Sequence, residues 1–264
     1  FSRVSRHGLI AYASSFDQIG PLTNNVDDAA LILEVIAGKD DFDSTASSRK
    51  VKKYTNLTYD DKPKKIAYIQ DYLDRPGLDI EVKNLVKEKI KKLKLKGHDV
   101  QPVTFPYLEL LIPTYYIITT AEASSNLARY DGIHFGYRNN NSKDLETTYL
   151  NTRTDGFGEE VKRRIMLGTF VLSSGYHEAY FTKAQKIRRL IQQKTEKIFE
   201  KFELVISPTT PHTAFKLGEK HEDPTKMYLE DIFTVQANLA GNPAISLPMG
   251  THSNGMPIGI HLMA

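Results

Sequence analysis

Apolar and polar positions in the middle of the chain follow the pattern of a strand–helix–strand unit. Short apolar runs at 66–69 and 100–105 predict buried strands, and the residues between them predict a helix over about 79–96. Apolar residues recur every three or four positions along that helix, while most of its lysines fall elsewhere. The unit therefore predicts a crossover between two parallel strands, and the lysine run predicts a solvated helix face rather than a nucleic-acid site.

Helical patterns flank this unit on both sides. The first spans 25–38, with Asn25 predicted as its N-cap, Gly38 as its C-cap and its apolar positions buried. Two longer helical patterns span 113–130 and roughly 159–202.

Polar and apolar segments alternate again towards the end of the chain. A polar loop at 136–143 separates the two long helices, and short apolar runs at 204–207, 244–248 and 258–263 predict a return to strands. The chain as a whole therefore predicts an α/β fold.

Composition narrows the classes of protein that fit this pattern. The 264 residues are 40% hydrophobic and 25% charged, which is enough to bury a sizeable core. A net charge of +3, from 35 basic and 32 acidic residues, requires neither a nucleic-acid partner nor a membrane surface. The absence of cysteine excludes disulfides and thiolate nucleophiles, and no apolar run reaches the ~18 residues that span a bilayer. We therefore expect a cytoplasmic protein with no membrane partner.

Common catalytic and metal-binding motifs are missing from the sequence. It contains no G-x-S-x-G elbow, phosphate loop, G-x-G-x-x-G fingerprint or H-E-x-x-H helix. The cluster at 221–223, His-Glu-Asp, is the one local group with ligand-like composition, and a solvated loop before Pro224 explains it better than a metal site. No metal site is predicted.

Several sequence blocks resemble those of amidase-signature enzymes. Two lie near the start, RVSRHGL at 3–9 and ASSFDQIGP at 13–21, and two near the end, GNPAISLP at 241–248 and GMPIGIHLM at 255–263. Two further blocks, EASSNLARYDG at 122–132 and GFGEEVKRRIMLG at 156–168, are similar to the A subunits of glutamyl-tRNA(Gln) amidotransferases in particular. The resemblance covers essentially the entire chain.

This resemblance implies a fold and a place within it. The expected fold is that of the amidase-signature family, a mixed β-sheet flanked by helices, with residues 1–264 as the C-terminal portion of a single domain. The family's Ser-cisSer-Lys triad belongs to segments that precede these residues, so no catalytic residue is assigned and the chain alone is expected to be inactive. The serine pairs at 14–15 and 173–174 are expected to cap helices or fill turns.

Three residues are predicted to bind glutamine. A free amino acid is recognised by a guanidinium for its α-carboxylate and a carboxylate for its α-ammonium. The resemblance implies that Arg164 binds the carboxylate, Asp231 the ammonium, and Tyr115 lines the pocket. From the residues alone, Arg164 also fits a solvated helix face, Asp231 also fits a helix cap or a pair with Lys226, and Tyr116 is an alternative to Tyr115.

The resemblance also implies a reaction and its partners. The intact enzyme would hydrolyse glutamine and supply ammonia for the conversion of Glu-tRNA(Gln) to Gln-tRNA(Gln). The B subunit would bind the tRNA and use ATP and magnesium, a C subunit would brace the pair, and no cofactor is expected on this chain. The alternatives are another amidase-signature hydrolase of a small amide and a non-catalytic RNA-binding or partner-binding scaffold.

Overall fold

The protein is described by a computed structural model that covers residues 2–56, 61–218 and 224–264. The chain divides into two compact units. The first unit comprises Phe1–Tyr59 and Tyr116–Ala184, and the second comprises Asp60–Tyr115 and Gln185–Ala264. The assignment of 1–264 to one domain stays a prediction.

The described residues form both helices and strands. The helices are α1 (Val26–Ile36), α2 (Gln70–Leu73), α3 (Ile80–Leu95), α4 (Leu108–Leu127), α5 (Leu145–Gly156), α6 (Glu159–Leu172), α7 (Lys183–Phe199), α8 (Pro224–Leu229) and α9 (Val235–Ala240). The strands are β1 (Lys65–Ile69), β2 (Asp99–Val103), β3 (Leu204–Pro208), β4 (Ala244–Thr251) and β5 (Pro257–Met263). None of the helices in the described part of the chain is long and apolar enough to cross a lipid bilayer.

The second unit contains a five-stranded mixed sheet in the order β2-β1-β3-β5-β4. Strand β1 pairs in parallel with both β2 and β3, placing Ile66 opposite Val100 on one side and Leu204 on the other. Strand β5 pairs antiparallel with both β3 and β4. The predicted crossover, in which α3 connects parallel strands β1 and β2, is confirmed, as is the mixed α/β fold.

Helix α3 buries one face against this sheet. Its buried side chains, Val82, Val86 and Ile90, belong to the same apolar cluster as Ile66 of β1 and Ile206 of β3. The lysines of the helix are exposed or half-buried, and ion pairs join Lys83 to Asp74 and Lys92 to Glu88. The prediction of an amphipathic helix with a solvated lysine face is therefore confirmed.

Helix α1 of the first unit begins as predicted but does not bury its apolar residues. Asn25 caps it by accepting a hydrogen bond from the Asp28 amide at 2.7 Å, whereas the C-cap is Ala37 rather than Gly38. No residue of the helix is buried, and Val35 is 77% exposed. The predicted burial is wrong because α1 contacts the 3-10 turn Tyr54–Asn56, which is too short to cover eleven residues.

The two long helical patterns also differ from the structure. Helix α4 begins at Leu108, ahead of the predicted start at 113, because Leu108 and Leu111 are buried and hold its first turns despite Pro113. The pattern over 159–202 is interrupted after Leu172, where Gly175 takes a left-handed backbone with φ of 84° and a π-helical turn follows.

Candidate functional site

Arg164 lies on helix α6 in the first unit, one turn after Glu160. Its Nε donates a hydrogen bond to Glu160 Oε1 at 2.8 Å, and its side chain is 25% exposed. A spacing of four residues places two side chains on the same helix face, so α6 itself supplies this pairing. The neighbouring Arg163 also binds Glu160 but is 52% exposed. Arg164 is therefore held on one side by a carboxylate of its own helix.

Two tyrosine rings frame the guanidinium of Arg164. Its Cζ lies 5.4 Å from the ring centroid of Tyr12 and 5.5 Å from that of Tyr116, and its Nη1 donates to the Tyr12 hydroxyl at 2.8 Å. Burial works to lower the pKa of Arg164, but the hydrogen bonds and charges of Glu160 and Tyr12 outweigh it and raise the pKa above its ordinary value. The site therefore presents a permanent positive charge between two aromatic faces.

Close packing of helices α4 and α6 brings Tyr116 to Arg164. Gly168 follows Arg164 by one turn, and a Cβ added there would lie 2.0 Å from the carbonyl oxygen of Thr120, which follows Tyr116 by one turn. The hydroxyl of Ser124, one turn after Thr120, lies 2.9 Å from that of Thr169, which directly follows Gly168. The absence of a side chain at Gly168 thus allows the approach that brings the Tyr116 ring centroid to 5.5 Å from the guanidinium carbon.

The segment that carries Tyr12 is fixed by polar side chains. The carboxylate of Asp17 accepts hydrogen bonds from the Tyr12 and Ala13 amides at 2.9 and 3.0 Å. The carboxylate of Glu122, on α4, accepts from the Ser15 amide at 2.8 Å and from the Ser15 hydroxyl at 2.5 Å. Asn126, one turn later, donates to the Tyr12 carbonyl at 3.2 Å. Tyr12 is therefore positioned by three side chains of the first unit.

These contacts give the serine pair at 14–15 a structural role. The Ser14 hydroxyl accepts a hydrogen bond from Asn126 at 3.0 Å, and the Ser15 hydroxyl donates to Glu122. Hydroxyls engaged in this way hold a turn in place, as expected from the sequence.

The other two predicted site residues belong to the second unit. Tyr115 is half-buried on α4 and directly precedes the unit boundary. Asp231 is exposed in the turn between α8 and α9, and its carbonyl accepts from the amides of Thr234 and Val235 at 3.0 and 3.1 Å. Helix α9 has Thr234 rather than Asp231 as its N-cap. The structure thus places the ring of Tyr116 next to the guanidinium of Arg164. A single pocket formed by Tyr115, Arg164 and Asp231 stays a prediction.

Sequence reasoning missed two residues that shape the site. The pairing of Glu160 with Arg164 could have been found from their spacing on a helix with an acidic first turn. The contact of Tyr12 with Arg164 joins residues 152 positions apart, and no local pattern signals it.

No cluster of three or more histidine or carboxylate side chains suited to a metal ion occurs within the described ranges. The His-Glu-Asp cluster at 221–223, predicted to be a solvated loop, lies outside them.

Comparisons with known proteins agree with the fold and the sequence blocks. The family model described as Amidase matches residues 1–264. The glutamyl-tRNA(Gln) amidotransferase A subunit of Halothermothrix orenii is 52% identical over 261 residues, which is 98% of this chain and 54% of the relative. The corresponding A subunit of Bacillus pumilus is 50% identical over 264 residues, which is 100% of this chain and 54% of the relative.

A solved structure extends the comparison to three dimensions. The crystal structure of the glutamyl-tRNA(Gln) amidotransferase A subunit from Thermotoga maritima superposes with a TM-score of 0.77 at 41% identity, covering 100% of this chain and 52% of that one. The chain therefore spans about half the length of the relatives it matches. Because the family model matches its whole length and the solved relative shares its fold, the chain belongs to the amidase-signature family.

Proposed function

We propose that the chain is part of a glutamine-hydrolysing A subunit of a glutamyl-tRNA(Gln) amidotransferase, and that it contributes residues that recognise glutamine. The observation that carries the proposal is the half-buried guanidinium of Arg164 between the rings of Tyr12 and Tyr116. Identities of 52% and 50% to subunits of that name support the same assignment.

Arg164 has the chemistry required to bind the α-carboxylate of an amino acid. A guanidinium offers five N–H donors in a planar fork that matches a carboxylate, and burial between rings strengthens the interaction relative to water. Glu160 and Tyr12 occupy two of its donors, at Nε and Nη1, and fix the plane of the group. We propose that the substrate carboxylate binds this preorganised fork.

The remaining roles follow the same chemistry. We propose that the carboxylate of Asp231 binds the α-ammonium group and that Tyr115, beside Tyr116, lines the pocket for the side-chain amide. A serine nucleophile outside these residues would attack that amide, release ammonia and form an acyl-enzyme that water hydrolyses.

The proposal also assigns partners. The B and C subunits would complete the assembly, and B would bind Glu-tRNA(Gln) and use ATP and magnesium to activate the carboxylate that accepts the ammonia. No cofactor is assigned to this chain. We place the assembly in the cytoplasm.

Hydrolysis of glutamine by the protein at its full natural length tests the proposal. Arg164→Ala is expected to lower kcat/KM for glutamine by about 100-fold, mainly through a higher KM, because two charged hydrogen bonds to the substrate are lost. Released ammonia provides the readout.

Arg163→Ala is the matched control, since it removes the same charge from the same helix, and Arg163 also pairs with Glu160 but is 52% exposed. Its kcat/KM is expected to stay within about twofold of the unmodified protein. Equal losses in the two variants would contradict carboxylate recognition by Arg164. Preserved activity in Arg164→Ala would instead favour an amidase that acts on another small amide.

A further inference from the structure

A cavity of about 310 Å³ lies in the second unit, beyond the carboxyl ends of strands β1 and β3. One wall is formed by residues 75–78, which follow β1 and α2, and another by residues 211–213, which follow β3. Strand β1 has β2 on one side and β3 on the other, so the strand order reverses here. In open α/β sheets this reversal creates a crevice where ligands bind.

The lining of the cavity is largely apolar. The apolar side chains that face it are Pro76, Leu78, Pro211, Phe215, Leu229 and Phe233. Its volume is at the lower end of the range for pockets that hold small organic molecules, which combine an apolar lining with a few polar groups. The cavity therefore suits a compact ligand with an apolar body.

Arg75 supplies a charged group in this lining. Its side chain is 16% exposed, and its Nη1 donates to Glu109 Oε1 at 2.7 Å. Across the described ranges, no other hydrogen bond of this guanidinium is found, although it has five N–H donors. Its partner Glu109 is 78% exposed, so water weakens that ion pair. A guanidinium this buried, with donors to spare, is suited to binding an anion.

His212 and Glu230 form a second polar pair in the lining. The imidazole Nδ1 lies 2.7 Å from Glu230 Oε1. The carboxylate of Glu230 is thereby engaged by the imidazole beside it in the lining. The contact is made by Nδ1, and the second ring nitrogen of His212 is not part of it.

We propose that this cavity binds a small organic monoanion, namely a carboxylate attached to an aromatic or branched apolar body. Arg75 binds the carboxylate, and the phenylalanine and leucine side chains enclose the body. The proposal does not depend on glutamine hydrolysis.

Calorimetric titration of the protein at its full natural length with phenylacetate tests this site. Saturable binding with a Kd of about 1 mM or tighter is expected. Phenylacetamide, which lacks the charge, and acetate, which lacks the ring, are each expected to bind at least about tenfold more weakly. Absence of saturable phenylacetate binding by the folded protein would overturn the proposal.

Three variants locate the binding. Arg75→Gln is expected to weaken phenylacetate binding by about tenfold or more, and Glu109→Gln to strengthen it severalfold because the guanidinium is released from its competing carboxylate. Arg164→Ala is expected to leave it unchanged. Loss of binding in Arg164→Ala, or its full retention in Arg75→Gln, would overturn the proposal without affecting the function proposed above. If Arg75→Gln does not fold, unchanged affinity in Glu109→Gln would contradict the proposal.

Discussion

The two units of the chain are stabilised in different ways. The second unit packs α3 against a five-stranded sheet through aliphatic side chains, and it also contains a buried chain of hydrogen bonds that joins Tyr72, Gln236 and Thr195. In the first unit, many of the contacts that shape the structure are side-chain hydrogen bonds, made by Asp17 and Glu122 among others. The first unit therefore relies on contacts made by individual residues, whereas the second has a continuous apolar core between α3 and the sheet.

The largest effect is expected where the first unit depends on a single residue. Gly168→Ala would place a Cβ 2.0 Å from the Thr120 carbonyl oxygen, so α4 and α6 must separate. We expect a loss of about 3 kcal/mol or more in the free energy of unfolding, measured by chemical denaturation. Gly20→Ala is the control, since nothing lies within 4 Å of a Cβ there. Equal stability of the two variants would show that this helix contact is not tight.

The second unit is expected to be sensitive to acid at one buried residue. His261 on β5 is 6% exposed beside the Ser207 hydroxyl, and burial lowers its pKa from 6.5 to about 4. The unfolded chain therefore binds a proton that the folded chain does not, and stability falls as the pH decreases from about 6.5 to 4. The loss attributable to His261 is about 3 kcal/mol.

Chemical denaturation of the unmodified protein and of His261→Gln at pH 4 and pH 7 measures this effect. The difference in unfolding free energy between pH 7 and pH 4 should be smaller in the variant than in the unmodified protein by about 3 kcal/mol. An identical pH dependence in both proteins would assign the acid sensitivity to other groups.

A smaller loss of stability is expected when a polar contact that fixes the Tyr12 segment is removed. Glu122→Gln replaces a carboxylate that accepts two hydrogen bonds from Ser15 with an amide that can accept through one oxygen. We expect a loss of about 2 kcal/mol in the free energy of unfolding. Glu146→Gln, on the exposed first turn of α5, is expected to change it by less than about 0.5 kcal/mol. Similar small losses in both would show that the Ser15 contacts add little.

The same difference between the units explains what the sequence could predict. The crossover from β1 through α3 to β2 follows from apolar periodicity, and its predicted ends agree with the structure to within two residues. Helix α5 was not predicted because the residues it buries are Thr148 and Thr152. Both are polar, so the helix has no apolar periodicity that would mark its buried face. Its capping box, Asp144 with Thr147, was a local signal that could have revealed it.

The residues of the candidate site could likewise be predicted only in part from the sequence. Arg164 was identified by resemblance to a family, because an arginine beside two other basic residues on a helix gives no distinguishing pattern. Its aromatic partner on α4 is Tyr116, and adjacent tyrosines cannot be told apart until the position of α6 is known. Hydrogen bonds between residues far apart in the sequence, such as that between Asn126 and Tyr12, fix the site. Such contacts produce no periodic pattern in the sequence.

Recognition of the glutamine α-carboxylate by Arg164 is tested most directly by changing both partners of the contact. The ratio of kcat/KM for glutamine to kcat/KM for 4-aminobutanamide, which lacks that carboxylate, would be measured for the full-length protein and for Arg164→Ala. We predict that the ratio falls by about 100-fold in the variant, because only glutamine loses an interaction. An unchanged ratio would contradict the account, since Arg164 would then contribute equally to a substrate that has no carboxylate to bind.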